Sequence, residues 1–178
     1  PNIDRIALNG STFDNHFVSN PVCSPSRCSV LTGRYPKNHG TRDNGIPLRD
    51  EEVTFPQVLR DNGYVTAAIG KMHITTQFLP KEDEQDDWPE DNYGFDVIHT
   101  TCDLKSGEYL NWLEKETPRD YEIVKEQGER KLKEDKASAA DKDTSGPPQV
   151  YLSDIDPKFH QSHWIADRMI DLINESEE

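Results

Sequence analysis

The side chains best able to do chemistry crowd into one stretch, Pro21-Val22-Cys23-Ser24-Pro25-Ser26-Arg27-Cys28-Ser29-Val30-Leu31-Thr32-Gly33. Cysteine offers a soft nucleophile whose reactive form is the thiolate, and Arg27 adds a permanent cation nearby. Ser24 followed by Pro25 reads as a helix start. Serine caps well, and a proline at the first helical position gives up no needed hydrogen bond. Cys23 then sits just outside the helix N-terminus, where unpaired N–H groups and the helix dipole favour negative charge. A tetrahedral oxyanion bound at Cys23 would be stabilised there, and Arg27, about one turn further in, could reach back toward it. On these residues alone two readings stand, a low-pKa reactive thiol and an ordinary buried cysteine ahead of a helix.

A second stretch, Gly63-Tyr64-Val65-Thr66-Ala67-Ala68-Ile69-Gly70-Lys71-Met72-His73, reads as a buried strand running out through Gly70. Strand periodicity places Lys71 and His73 on one face and Met72 on the other. In parallel α/β sheets ligands gather at the carboxyl ends of strands, where this pair would stand. Taken singly, a lysine or histidine is more often a surface or core residue. His39 reads as a loop anchor or a residue approaching the pocket. Asp43 and Asn44 read as part of an Asn-Gly turn with Gly45, ahead of substrate contact. His160 and His163 read as surface or packing residues, and Cys28, inside the helix, as a packing residue.

The elements that must position these groups alternate in the βα manner over the first hundred residues. Helices are expected at Asn2 to Leu8, Pro25 to Leu31 and Phe55 to Asp61, and strands at Phe13 to Val18, Tyr64 to Ile69 and Phe95 to His99. Gly107 to Lys115 and His160 to Asn174 carry apolar residues at near-helical spacing and read as amphipathic helices on a sheet. Residues 129–148, dense in Lys, Glu, Asp, Ala and Ser, read as a solvated, flexible insert, and Pro80 to Glu90 as a second, acidic one.

With 33% hydrophobic and 30% charged residues, the chain is polar for a compact domain but not depleted enough to be wholly disordered. Its net charge of -14 and lack of a basic stripe argue against nucleic acid as a partner. No apolar run approaches the roughly 20 residues of a transmembrane helix. The opening Pro1-Asn2-Ile3-Asp4 is neither an initiator Met nor a leader, so the true N-terminus is expected upstream. Three cysteines, Cys23, Cys28 and Cys102, make neither a disulfide framework nor a four-ligand zinc site.

Cys23-x-Pro25-Ser26-Arg27, followed by two residues, two aliphatics and Thr32-Gly33, resembles the first signature of the sulfatase family, whose cysteine is oxidised to formylglycine after translation. Gly63 to His73 resembles the second signature, and Pro1 to Ala7 is similar to the helix after the family's first strand. The resemblance is close over residues 1–100 and weaker beyond, where His160 to Ile173 is similar to a helix that precedes the central strand.

The resemblance implies an α/β fold, a partial alkaline-phosphatase-like sandwich with a mostly parallel sheet flanked by helices. Residues 1–178 would be part of the N-terminal catalytic domain, truncated at both ends. It implies a sulfuric ester hydrolase acting on a sulfate ester, foremost a carbohydrate sulfate. Cys23, as formylglycine (3-oxoalanine), would be the nucleophile and one ligand of a calcium ion, Arg27 would hold the hydrated aldehyde, and Lys71 and His73 would meet the sulfate ester. A formylglycine-generating enzyme would be a partner, and family habit suggests a periplasmic, secreted or lysosomal protein. A phosphonate or phosphodiester hydrolase using the same aldehyde is the second enzymatic reading, and a non-catalytic module that binds sulfated glycans is the third. The family's paired aspartates, its later Asp-Asn or Asp-His ligands, a second catalytic histidine and a second lysine have no counterpart here. With one cation ligand, calcium affinity and turnover by these residues alone are expected to be negligible.

Overall fold

The computed structural model of the chain describes residues 1–75, 88–101, 107–138 and 153–176, the side chains of 129–138 aside. Its helices are α1 (Asn2–Leu8), α2 (Cys23–Thr32), α3 (Pro36–His39), α4 (Phe55–Asp61), α5 (Glu108–Glu116), α6 (Pro118–Ser138) and α7 (Gln161–Glu175). Its strands are β1 (Ala67–Gly70) and β2 (Val97–Thr100).

The strands pair in parallel, with Ala67 opposite Val97 and Gly70 opposite Thr100. Their amino ends are tied by Thr66 and Asp96. The Thr66 N–H donates to Asp96 Oδ2 at 3.0 Å, and the Asp96 N–H donates back to the Thr66 carbonyl at 2.9 Å. These bonds from Thr66 also hold the Asp96 carboxyl below the usual carboxylate range. At the other end the Thr101 N–H reaches the Gly70 carbonyl, so the ladder closes where β1 gives way to Lys71.

Two apolar clusters flank the pair. Cys28 and Leu31 of α2 meet Leu48, Ala68, Ile74 and Tyr93, with Met72 packed against them. Tyr109 and Leu113 of α5 meet Val124 of α6 and Trp164 of α7, where Trp164 is 1% exposed. Between β1 and β2 the chain makes a tight turn at Asn92–Gly94, where three consecutive residues take φ of 54, 53 and 86°. Tyr93 pins it, its hydroxyl donating to the Leu48 carbonyl at 2.8 Å while its own carbonyl accepts Thr54 Oγ1 at 2.5 Å.

Three sequence expectations need revision. Phe13 to Val18 forms no strand and is exposed. A strand needs a neighbour to take its backbone groups, and the described strands pair only with each other. The expected strands at Tyr64 to Ile69 and Phe95 to His99 are shorter and later, because Thr66 and Asp96 spend their backbone and side-chain groups on the clamp. Residues 129–138, expected to open a solvated insert, continue α6 as helix. Residues 139–148 and most of the acidic stretch from Pro80 lie outside the described residues.

Considerable apolar surface is left uncovered. α1 buries none of its residues, and Ile3, Ile6 and Leu8 are 82, 73 and 86% exposed. Val58 and Leu59 of α4 and Val30 of α2 also face outward around a groove of about 620 Å³. No described helix is long and apolar enough to cross a membrane.

Candidate functional site

α2 begins two positions earlier than its proline suggests. Val22 is the N-cap, in extended conformation and with no side-chain cap bond, so Cys23 is the first helical residue and Pro25 the third. The cap comes from elsewhere in the chain. Asn44 Oδ1 accepts the Ser24 N–H at 3.0 Å, and Asn20 Oδ1 accepts the Val22 N–H at 2.8 Å. Pro25 has no N–H, and that of Ser26 goes to the Val22 carbonyl. The cluster of free donors expected around Cys23 is therefore largely consumed, and anion stabilisation there must rest on side chains and the helix dipole. Beside Cys23, the Ser24 hydroxyl is buried without a hydrogen-bond partner among the described residues. A buried polar group left unmatched costs stability and marks a place to look for a missing neighbour.

Cys23 is exposed, whereas Cys28 is fully buried. Burial pushes the Cys28 thiol up to about 11, despite a hydrogen bond with Thr41 that opposes the shift, so it stays protonated and inert at neutral pH. Arg27 reaches across to the exit of β1. Its Nη1 donates to the Lys71 carbonyl at 2.5 Å, tying the middle of α2 to the first residue beyond β1.

Lys71 and His73 lie past the end of β1, so strand alternation does not orient them. His73 has a φ of 53°, in the left-handed region that non-glycine residues seldom occupy. Such strain persists only where surrounding contacts over-determine it and is common at functional sites. Here Met72 packs into the core on one side, and the Ile74 carbonyl accepts the Leu48 N–H at 2.9 Å on the other. The structure therefore joins the Arg27 and Lys71 segments directly, and holds the segments of Cys23 and His73 through the loop containing Asn44 and Leu48.

His39 is that loop's anchor. It is fully buried, accepts the Thr41 N–H at Nδ1 (3.2 Å) and faces Ser29 Oγ through Nε2 at 3.0 Å. With Nδ1 used as an acceptor, the proton sits on Nε2 and points at Ser29. The Ser29–His39 pair thus has the wrong tautomer for a serine and its general base, and it serves to tie the loop to α2. Burial, helped by Arg34 and Arg49 and opposed by Glu52, holds His39 below its ordinary pKa.

A neutral histidine favoured by the fold contributes stability that is complete above the unfolded-state pKa. That contribution declines as pH falls below about 6.5 toward the depressed folded value. Urea unfolding at pH 7.5 and 5.5 should show lower stability at the acid pH, and His39→Gln should flatten the difference. An unchanged pH dependence in the variant would take His39 out of the account.

Glu52, whose side chain is 2% exposed, holds the loop's base. Arg34 Nη1 meets it at 2.6 Å and Arg49 Nη2 meets its other oxygen. Burial alone would raise its carboxyl, but these two bonds outweigh that and lower it. Neither this clamp nor the Asn44 cap has a signature in the sequence, because each joins residues across a loop of irregular backbone. The Asn-Gly turn is present, with the Ile46 N–H reaching the Asp43 carbonyl at 3.4 Å. His160 caps α7, its Nδ1 accepting the Ser162 N–H at 3.2 Å, and His163 is exposed.

Among the described residues no three His, Cys, Asp or Glu side chains converge on a point that could hold a metal ion. The donors present do not make a cation site by themselves.

A helix whose Arg27 reaches the carboxyl end of a parallel strand pair is an α/β arrangement, and in such folds ligands commonly gather at the strand ends. A phosphonate monoester hydrolase of Agrobacterium radiobacter shares that fold, an alkaline-phosphatase-like one. It aligns over 98% of this chain and 33% of its own, with a TM-score of 0.63 and 21% identity. The chain belongs to the sulfatase family, whose model, described as Sulfatase, matches residues 1–154. Relatives include the N-acetylglucosamine-6-O-sulfatase of Bacteroides thetaiotaomicron, 33% identical over 64% of this chain and 23% of that protein. Human N-acetylgalactosamine-6-sulfatase is 34% identical over 70% of this chain and 25% of its own length. The chain thus spans about a quarter of the length of these relatives.

Proposed function

We propose that this chain carries the nucleophile-bearing part of a sulfuric ester hydrolase. Its reactive group would be Cys23 after conversion to formylglycine, and its substrate a sulfated sugar. One observation carries the reading: the guanidinium of Arg27, in the first motif, is bonded to the backbone of Lys71, in the second, at the carboxyl end of β1. Two stretches, each similar to a sulfatase signature, are thereby joined at one end of the sheet through residues 44 positions apart.

Formylglycine supplies a hydrated aldehyde that can attack sulfur through one hydroxyl and later release sulfate by losing the proton of the other, which a plain thiol cannot do. The chain's own residues prepare for that chemistry. Arg27 is a fixed cation near Cys23, suited to hold a hydroxyl and to lower the cost of its deprotonation. The Lys71 ammonium suits a sulfate oxygen, and the His73 imidazole suits proton transfer at the ester or the diol. A divalent cation, calcium in this family, would take the Cys23-derived group as one ligand; the described residues supply no cluster to complete its shell. In this reading residues 1–178 are part of a catalytic domain, and a formylglycine-generating enzyme acts on Cys23 beforehand.

The names of the two relatives point to 6-sulfated amino sugars. The enzyme containing this chain, produced with the modifying enzyme, should release sulfate from N-acetylglucosamine-6-sulfate and hydrolyse 4-nitrophenyl sulfate in preference to a phosphonate monoester. Hydrolysis of the phosphonate alone would overturn the substrate class. Binding of sulfated glycan with no turnover and an unconverted Cys23 would replace the enzyme by a binding module.

A further inference from the structure

The loop between α3 and α4 touches both motifs, and Asn44 stands where it meets the first. Its Oδ1 accepts the Ser24 N–H at 3.0 Å, so it lies within van der Waals reach of the Cys23 backbone by covalent geometry alone. The tip carrying Asn44 is held on several sides. Asp43 Oδ1 accepts the Asn44 N–H at 2.8 Å, and Thr41 Oγ1 donates to the Pro47 carbonyl at 3.1 Å. One end of the loop is fixed to α2 through His39 and Ser29, and the other to the segment after His73 through Leu48 and Ile74.

We propose that Asn44 is a positioning residue for Cys23: it caps α2 from outside the helix and so makes this loop a bracket between the Cys23 turn and the exit of β1. α2 has no cap of its own, since Val22 offers no side-chain acceptor and Pro25 occupies the position whose N–H a cap would often take. The bracket fixes where Cys23 stands relative to the chain beyond β1. Its catalytic consequence rests on the reading of Cys23 as the nucleophile, whereas the placement itself does not.

The placement can be tested on the 178-residue chain without any sulfate ester. In Asn44→Ala the Ser24 amide should exchange with solvent at least about fivefold faster, the scale of one lost hydrogen bond, while the Leu31 amide at the far end of α2 changes little. Asn44→Asp keeps the acceptor and adds a charge beside Cys23. The ratio of Cys23 alkylation rates by iodoacetate and iodoacetamide should fall about threefold or more, since a nearby carboxylate repels only the anionic reagent and the thiolate fraction cancels in the ratio. A carboxylate remote from Cys23 would leave that ratio unchanged. Should Asn44→Ala fail to fold, Asn44→Asp carries the test. An unchanged Ser24 exchange rate in folded Asn44→Ala, or an unchanged ratio in Asn44→Asp, overturns the placement. If both shifts occur in a protein that hydrolyses no sulfate ester, the proposed function fails and the placement of Asn44 stands.

Discussion

Gly94→Ala is expected to lower the stability of the chain by about 2 to 5 kcal/mol, combining the left-handed penalty for an L side chain with the cost of overpacking. The backbone at Gly94 has a φ of 86°, and a Cβ built there would lie 2.2 Å from the Gln57 nitrogen and 2.3 Å from its Cα. Those are backbone atoms of α4 and cannot rotate aside as the end of a long side chain would. The turn cannot slide away either. The Gly94 carbonyl accepts Thr66 Oγ1 at 2.6 Å, and Tyr93 is bonded to both Thr54 and Leu48. Set against a total stability of about 5 to 15 kcal/mol for an ordinary domain, such a loss is large. Gly63→Ala is the matched control, because Gly63 also has a φ of 86° but meets nothing within 4 Å. Its cost should be confined to the conformational share, about 1 to 2 kcal/mol. Urea midpoints of the two variants decide the matter. Equal losses would show that the approach of α4 to the turn plays no part.

The sequence made legible those elements whose boundaries rest on local chemistry. The helix expected at Phe55 to Asp61 is α4, and it starts behind Thr54, whose Oγ1 accepts the Gln57 N–H. α7 follows its apolar stripe, with Trp164 turned inward. Elements that depend on distant partners were harder to read. Phe13 to Val18 has strand composition but no described strand beside it, and the start of β1 is set by Asp96, thirty residues further on. α6 escapes an apolar-pattern search because Tyr121, Ile123 and Val124 cluster near its start. The run of Glu, Arg, Lys, Leu and Ala that follows favours helix by propensity alone, a signal that composition masks as solvation.

At the candidate site, Cys23, Arg27, Lys71 and His73 are singled out by the likeness of their two stretches to the family's signatures, but that Arg27 bonds to a backbone carbonyl beyond β1 follows from a crossing of elements that no periodicity encodes. Asn44 read as half of a turn, which it is, and its side chain has a second use twenty residues upstream.

The largest functional effect is expected from Cys23→Ala in the enzyme that contains this chain: turnover of a sulfate ester lower by at least about 10⁴-fold, the scale on which removing a nucleophile registers elsewhere. The fold has no reason to follow. Cys23 is exposed, the cap contacts at the start of α2 are made by backbone groups of its neighbours, and alanine is the best helix former for a first-turn position. Cys28→Ala should behave in the opposite way. That side chain is fully buried beside Leu31 and Tyr93, so its loss opens space in the core and lowers the unfolding midpoint. Its thiol stays protonated at neutral pH, and kcat should hold. Measured together, kcat and the unfolding midpoint separate the two cysteines. Retained turnover in Cys23→Ala would remove the nucleophile from its place. A loss of turnover that tracks a loss of fold in both variants would make the stretch from Cys23 to Cys28 a packing element only.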